Sequence, residues 1–287
     1  MQRSSISKII FLSMLALIAF AGNSVLCRLA LSGQSIDPSS FTMIRLLSGV
    51  VMLWPLMRLS QAKTVSASNG SWFAASMLFV YALLFSYAYV SIDTATGALV
   101  LFGSVQLTLV VVNLVKGHKP SVGELAGVVL ALAGFVYLVF PQLQQPSIVG
   151  FIMMSVAGLA WAMYTVAGQG SVNALRDTAF NFFRTIPLLL VLLVVTFNSL
   201  EVTILGVIFA IASGGIMSGL GYAVWYAVLP LISTTQAGVM QLLVPIIAGL
   251  GGVLFTSESL SWRLVVSALL VLSGILLVIL AKRKPLS

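Results

Sequence analysis

Along this chain the apolar positions neither alternate nor form one-sided stripes. They gather into long, continuously apolar runs divided by short polar breaks. Runs of about 20 residues predict membrane-crossing helices. A barrel would need alternating strands instead. Ten runs can be traced, at 9–30, 38–58, 71–91, 95–115, 121–140, 148–168, 178–198, 204–229, 235–255 and 262–281. The breaks leave no room for a soluble domain. Between the fifth and sixth runs, Pro141 and Pro146 stop any helix from continuing.

The runs repeat. Moved back by 140 positions, residues 232–280 lie on 92–140 without a gap, so that Ile232 meets Ile92, Thr234 meets Thr94, Leu254 meets Leu114, Ser261 meets Ser121 and Gly274 meets Gly134. Each copy breaks at a short polar loop in the same place. Two halves follow, 1–140 and 148–287, joined by a linker at 141–147. Such a repeat decides the architecture.

Composition strengthens this reading. The chain is 60% hydrophobic and 7% charged, against about 25% charged in soluble proteins. The net charge of +8 would suggest nucleic acid in a soluble chain. Here the basic residues read as topology signals, and no nucleic-acid partner is expected. The single cysteine, Cys27, and single histidine, His118, exclude an internal disulfide, a thiolate cluster and a histidine-rich metal site. The stretch Ala19-Phe20-Ala21 after an apolar run resembles a signal-peptide cleavage site. However, the run continues to Leu31, and residues 20–25 match 161–166, so the stretch is read as part of the repeat.

Charge then orients the chain. With a cytoplasmic N-terminus, the inner segments hold Arg3, Lys8, Arg58, Lys63, Lys116, Lys119, Arg176, Lys282, Arg283 and Lys284, while the outer ends hold only Arg28 and Arg263. This bias predicts that both termini are cytoplasmic, in a bacterial inner membrane. Five spans per half is an odd number, so the second half must be inverted. Lys116 and Lys119 accordingly give way to Thr256 and Ser259 on the opposite side. The expected fold is all-α, with ten transmembrane helices in two inverted five-helix repeats, a layout common in secondary transporters.

Several segments resemble the EamA-type transporters of the drug/metabolite transporter superfamily. The most specific is the glycine–aromatic run from Gly219 to Val228, followed by the small-residue stretch 232–237. Pro245, the Glu258 loop and the pairs Phe41/Arg45 and Phe180/Arg184 also fit. The chain departs from the family at His118 and Lys119, where the first repeat commonly has an acid. The resemblance implies transport of amino acids, metabolites or drugs. The layout is similar to that of aromatic amino-acid exporters.

Candidate chemistry sits in the spans. A mid-membrane arginine costs about 2.5–3.5 kcal/mol on insertion scales, so Arg45 and Arg184 need partners. Two readings are open: they face a cavity and attract carboxylates, or they bond carbonyls at a helix end or snorkel to phosphates. Thr96, Gly103, Gln106 and Asn113 form one polar face of the fourth span, suited either to lining a site or to joining helices. On the ninth span, Gly238, Gln241, Pro245, Gly249, Gly252 and Thr256 share a face, where Pro245 frees a carbonyl near Gln241; the face suits a kinked gating helix beside the cavity, a tightly packed interface, or both. Gly219 and Gly221, with Ser213, Gly214, Gly215 and Ser218, either permit bending or permit close packing. Tyr81, Trp161, Tyr164 and Tyr222 are candidate aromatic walls or ordinary core. Asn23 is the main polar group of the first span. Trp54, Trp72 and Trp262 read as interface anchors. Ser121 and Glu124 read as a capping box.

No acidic residue falls at mid-membrane: Asp37, Asp93, Asp177, Glu201 and Glu258 all lie in loops or at span ends. This favours uniport or exchange over a carboxylate proton switch. The expected function is alternating-access export of small metabolites, with amino acids the leading substrates. A proton-coupled multidrug or metabolite antiporter is the alternative. An intramembrane enzyme is more remote, since clustered catalytic groups are lacking, and a structural subunit would need no paired polar faces. No phosphate-binding glycine loop is found. No metal and no cofactor are expected, and the partners are a small-molecule substrate and membrane lipid, with a monomer sufficing.

Overall fold

The computed structural model describes residues 3–59, 69–115, 117, 121–139, 147–168, 171, 173–228, 231, 240–241 and 243–281. Expectations for Lys63, Lys116, His118, Lys119, the 141–146 linker, 232–238 and 282–284 lie outside those residues, as do those for the side chains of Arg3, Asn113 and Tyr226. The described residues are helical, with one isolated antiparallel bridge between Ile36 and Val202.

The first half contributes α1 (Arg3–Ser32), α2 (Pro38–Leu59), α3 (Trp72–Tyr89), α4 (Thr94–Val115) and α5 (Val122–Val139). The second contributes α6 (Ile148–Gly168), α7 (Ala174–Arg184), α8 (Ile186–Thr196), α9 (Ile204–Ile211), α10 (Gly221–Val228), α11 (Val244–Thr256) and α12 (Trp262–Ala281). A π-helical stretch, Ala212–Leu220, joins α9 to α10. Among the described residues, seven helical stretches are long and apolar enough to cross a membrane, and three shorter apolar helices lie at Val122–Gly134, Val244–Thr256 and Trp262–Val278.

Helix starts are capped, which satisfies backbone N–H groups that have no partner within the helix. Asp37 Oδ1 accepts from the amides of Ser39 and Ser40 at 2.9 and 3.0 Å. The capping box forms as its spacing predicts: Glu124 Oε2 accepts from Ser121 N at 2.8 Å and Ser121 Oγ from Glu124 N at 3.3 Å.

Two of the expected spans depart from a single regular helix, although the seventh remains one continuous apolar stretch, Ala174–Ser199. The seventh divides between Arg184 and Ile186, with Pro187 in the first turn of α8. In the ninth, Pro245 lies in the first turn of α11 after a turn at Leu243, so it opens a new helix where a kink was expected. A first-turn proline is well tolerated, because its missing N–H would have no helical partner there.

Several contacts of the first half have a counterpart in the second. α3 packs on α6, while α9, the π stretch and α10 pack on α1; α4 packs on α6 as α11 does on α1. α2 meets the π stretch as α3 meets α7, and α5 pairs closely with α12. Large apolar side chains such as Val51, Val194, Ile204 and Leu254 cover the outside, whereas Asn23, Arg45, Gln106 and Gln241 are buried. That arrangement suits lipid outside and protein within. Hydrogen bonds gather the loops at two ends. At one, Thr203 N donates to Ser35 O and Asp37 N to Glu201 O. At the other, Ser71 N donates to Asn181 Oδ1 and Gly70 N to Asp177 Oδ1.

Candidate functional site

Arg45 lies seven residues into α2, about 10 Å from its start at 1.5 Å per residue, and is 1% exposed. Its Nε donates to Ser218 Oγ at 3.3 Å, and its Nη2 to the hydroxyls of Tyr81 at 3.1 Å and Tyr222 at 3.4 Å. The guanidinium carbon stands 4.8 Å from the ring centroid of Phe85 and 5.3 Å from that of Tyr81. Its Nη1 has no hydrogen-bond partner among the described residues. All of its partners are neutral, so the cation is stabilised by hydroxyls and ring faces alone.

Around Arg45 the rings form a cage. Trp161 lies 4.8 Å from Tyr81, 4.9 Å from Tyr222 and 5.5 Å from Tyr164 between centroids. Phe20 meets Tyr222 at 5.8 Å and Trp225 at 5.6 Å, edge to face. Phe182 lies 6.0 Å from Tyr222. The rings come from α1 and α3 in the first half and α6, α7 and α10 in the second, so the cage sits where the halves meet.

The π stretch completes the polar side. Asn23 Oδ1 accepts from Ser213 Oγ at 2.8 Å and from Ser218 Oγ at 3.3 Å. In an α-helix, residues five apart would point about 140° away from each other. The i→i+5 bonding of a π-helix brings them to the same side, and π segments often occur at functional sites. A relay therefore runs from Arg45 Nε to Ser218 and on to Asn23. Close approach explains two of the glycines. A Cβ at Gly214 would lie 2.6 Å from the carbonyl carbon of Arg45, and one at Gly221 would lie 2.7 Å from Ala19 Cβ. At Gly219 the nearest atom would be 3.3 Å away, so packing demands glycine less there.

Of the residues singled out from sequence, Asn23, Arg45, Tyr81, Trp161, Tyr164 and Tyr222 come together. Gln106 and Gln241 are buried, at 7% and 5% exposure, on α4 and just before α11. Gln106 Nε2 has no partner among the described residues. The two arginines part ways. Arg184 is partly exposed, donates to the carbonyl of Asn69 and lies over the rings of Trp72 and Phe180. This is the helix-end role, whereas Arg45 is enclosed. Trp72 and Trp262 are exposed, and Trp54 instead stacks near Phe180 and Phe183. Sequence reasoning missed Phe20, Phe85 and Phe182. The spacing of Tyr81, Phe85 and Tyr89, four apart on one helical face, was an available signal for Phe85.

One end of the bundle carries an ionic latch that sequence reading also missed. Arg28 Nε donates to Glu258 Oε1 at 3.0 Å, its Nη2 to Asp93 Oδ1 at 3.2 Å and its Nη1 to the carbonyl of Tyr89 at 2.9 Å. Glu258 also accepts from Thr94 N at 2.9 Å and Thr94 Oγ1 at 3.1 Å, capping α4. The latch therefore ties α1, the α3–α4 turn and the loop after α11.

Known proteins resemble this chain in sequence and in fold. A sequence profile described as "EamA-like transporter family" matches residues 7–140 and again 148–280. An uncharacterized protein of Pseudomonas aeruginosa is 43% identical over 270 residues, covering 94% of this chain and 94% of its own. An uncharacterized transporter of Archaeoglobus fulgidus is 27% identical, covering 94% of this chain and 97% of its own. The uncharacterized transporter YoaV of Bacillus subtilis is 24% identical, covering 84% and 87%. A crystal structure matches with a TM-score of 0.65 over 95% of this chain and 99% of its own, at 19% identity, which is a likeness of fold alone. With the family profile matched twice along nearly its whole length, the chain belongs to the EamA-like transporter family and is an integral membrane transporter, not an enzyme.

Proposed function

We propose that the protein is a secondary transporter that exports small metabolites, amino acids foremost, by alternating access around the Arg45 cage. In this reading ten spans form two inverted five-helix repeats, 1–140 and 148–287, with both termini cytoplasmic in the bacterial inner membrane. The observation that carries it is the cage itself: a buried cation and aromatic rings, supplied by both halves, inside an apolar exterior. Rocking of one half against the other would open the cage to each side in turn. Asn23, Tyr81, Trp161, Tyr164 and Tyr222 line the substrate path, joined by Gln106 and Gln241. Pro245, Gly219 and Gly221 serve the motion, and Arg184 holds the far end of α7.

Uniport or exchange is favoured over proton coupling. A proton-coupled carrier needs a carboxylate that alternates between substrate and proton. Here Asp37 and Glu124 cap helices, Asp93 and Glu258 hold Arg28, and Asp177 receives Gly70 N and Ser171 Oγ. Counterflow in proteoliposomes, with amino acids, cationic drugs and sugars as trans substrates, tests the reading. Exchange of at least one amino acid is expected. If none exchanges, the amino-acid assignment fails, and strong acceleration by a pH gradient would overturn uniport in favour of the antiporter.

A further inference from the structure

We infer that the Arg45 guanidinium is a carboxylate seat, so that the site selects flat apolar molecules by their carboxylate and not by any amine they carry. The inference deepens the proposed transport function and rests on it only for turnover.

Arg45 is 1% exposed, and among the described residues Nη1 alone of its three nitrogens has no acceptor. Nη2 reaches two phenol oxygens, at 3.1 and 3.4 Å, long for charged bonds. Nη1 is free to donate to a carboxylate, and displacement of one long Nη2–phenol contact would complete a two-nitrogen fork, a match that lysine lacks. A purely structural spoke between α2, α3 and α10 would explain Nε and Nη2. It would leave a buried charged donor wasted at Nη1, at a cost. Beside it, Trp161 stands between Tyr81 and Tyr222 at interplanar angles of 46° and 51°, so that the lining next to the guanidinium is aromatic.

Among the described residues, no buried carboxylate is left free for an ammonium group. Five of the six acidic residues are engaged at helix ends as described above, and Glu201 is exposed in the loop before α9. Asn23 Oδ1 already accepts two serine hydroxyls. An amine would thus find ring faces but no ion pair, and would contribute little.

The test uses purified full-length protein and four probes that share one ring: phenylalanine, 3-phenylpropionate, phenylalanine amide and phenethylamine. Binding is measured by calorimetry and thermal shift. Phenylalanine and 3-phenylpropionate are expected to bind within about threefold of each other, and the amide and amine at least about tenfold more weakly. Arg45→Lys, which keeps the charge and loses the fork, should reduce that discrimination while the protein remains monodisperse. If the amide or amine matches 3-phenylpropionate, or if no probe binds, the inference is overturned. This wild-type panel decides the matter even if the variant does not fold. Counterflow with the same probes separates the two readings. Carboxylate-selective binding without exchange would remove transport and leave the seat, and exchange without head-group preference would do the reverse.

Discussion

Replacing Glu258 with Gln should loosen one end of the bundle. The substitution keeps an oxygen to cap Thr94 and removes the charge that faces Arg28. The side chains of Arg28 and Glu258 are 17% and 11% exposed, whereas that of Asp93 is 50% exposed. The Asp93 contact is therefore screened and worth little, and the Glu258 contact carries the pair. Breaking a fully buried pair costs about 3–5 kcal/mol. Here Arg28 keeps Asp93 and the Tyr89 carbonyl, so about 2 kcal/mol is expected. For a protein of this size that is roughly a 3 °C fall in midpoint, compared at one scan rate because unfolding of such proteins is commonly irreversible. A double-mutant cycle with Arg28→Gln should return a coupling of at least about 1 kcal/mol. Cys27 is a built-in reporter: it is the single cysteine, 0% exposed and next to Arg28. Its labelling by an impermeant maleimide should be slow in the wild type and faster in Glu258→Gln, from the latch side alone. The 140-residue offset sets His118 opposite Glu258, so no acid stands at the equivalent position of the first half. An unchanged midpoint together with unchanged labelling would refute the latch.

Three further substitutions probe the interior. Gly214→Ala should cost about 3 kcal/mol and lower the yield of monodisperse protein, because its Cβ would meet the Arg45 backbone, while Gly215→Ala, with its nearest neighbour at 3.7 Å, should be tolerated; equal behaviour of the two would count against the close contact. Gln106→Leu replaces an amide whose Nε2 lacks a partner. The midpoint should hold or rise while counterflow falls, and unchanged counterflow would remove Gln106 from the path. Arg184→Lys keeps a donor for the Asn69 carbonyl and loses ring stacking, so a loss of about 1 kcal/mol is expected with head-group preference unaltered; altered preference would place Arg184 in the site.

Much of the fold was legible because lipid imposes a simple rule. Every backbone polar group in the membrane must be bonded internally, so long apolar runs can only be helices, and a repeat of runs becomes a repeat of helices. The capping box at Ser121 and Glu124 and the burial of Asn23, Gln106 and Gln241 follow from equally local chemistry. Tyr81, Trp161, Tyr164 and Tyr222 were also recognisable one by one, whereas Phe20, Phe85 and Phe182 were not. What a single chain could not reveal was which of them meet.

The arginines show where the sequence stops. Phe41/Arg45 and Phe180/Arg184 carry the same pattern at matching places, and periodicity assigns them the same choice of roles. Only packing separates them. Arg45 faces the π stretch of the other half and is enclosed by Tyr81, Phe85 and Tyr222, whereas Arg184 reaches the backbone ahead of α3. Serines at 213 and 218 are out of phase on an α-helix and in phase on a π-helix, and no apolar periodicity announces that change. The latch likewise joins positions 28, 93 and 258, which no local rule connects. The sequence by itself determined the helical class, the duplication and the inventory of polar groups, because those depend on hydrophobicity and spacing along the chain. The tertiary structure decided which cation is enclosed and which end is latched, because enclosure and ion pairing depend on distances between helices that lie far apart in the chain.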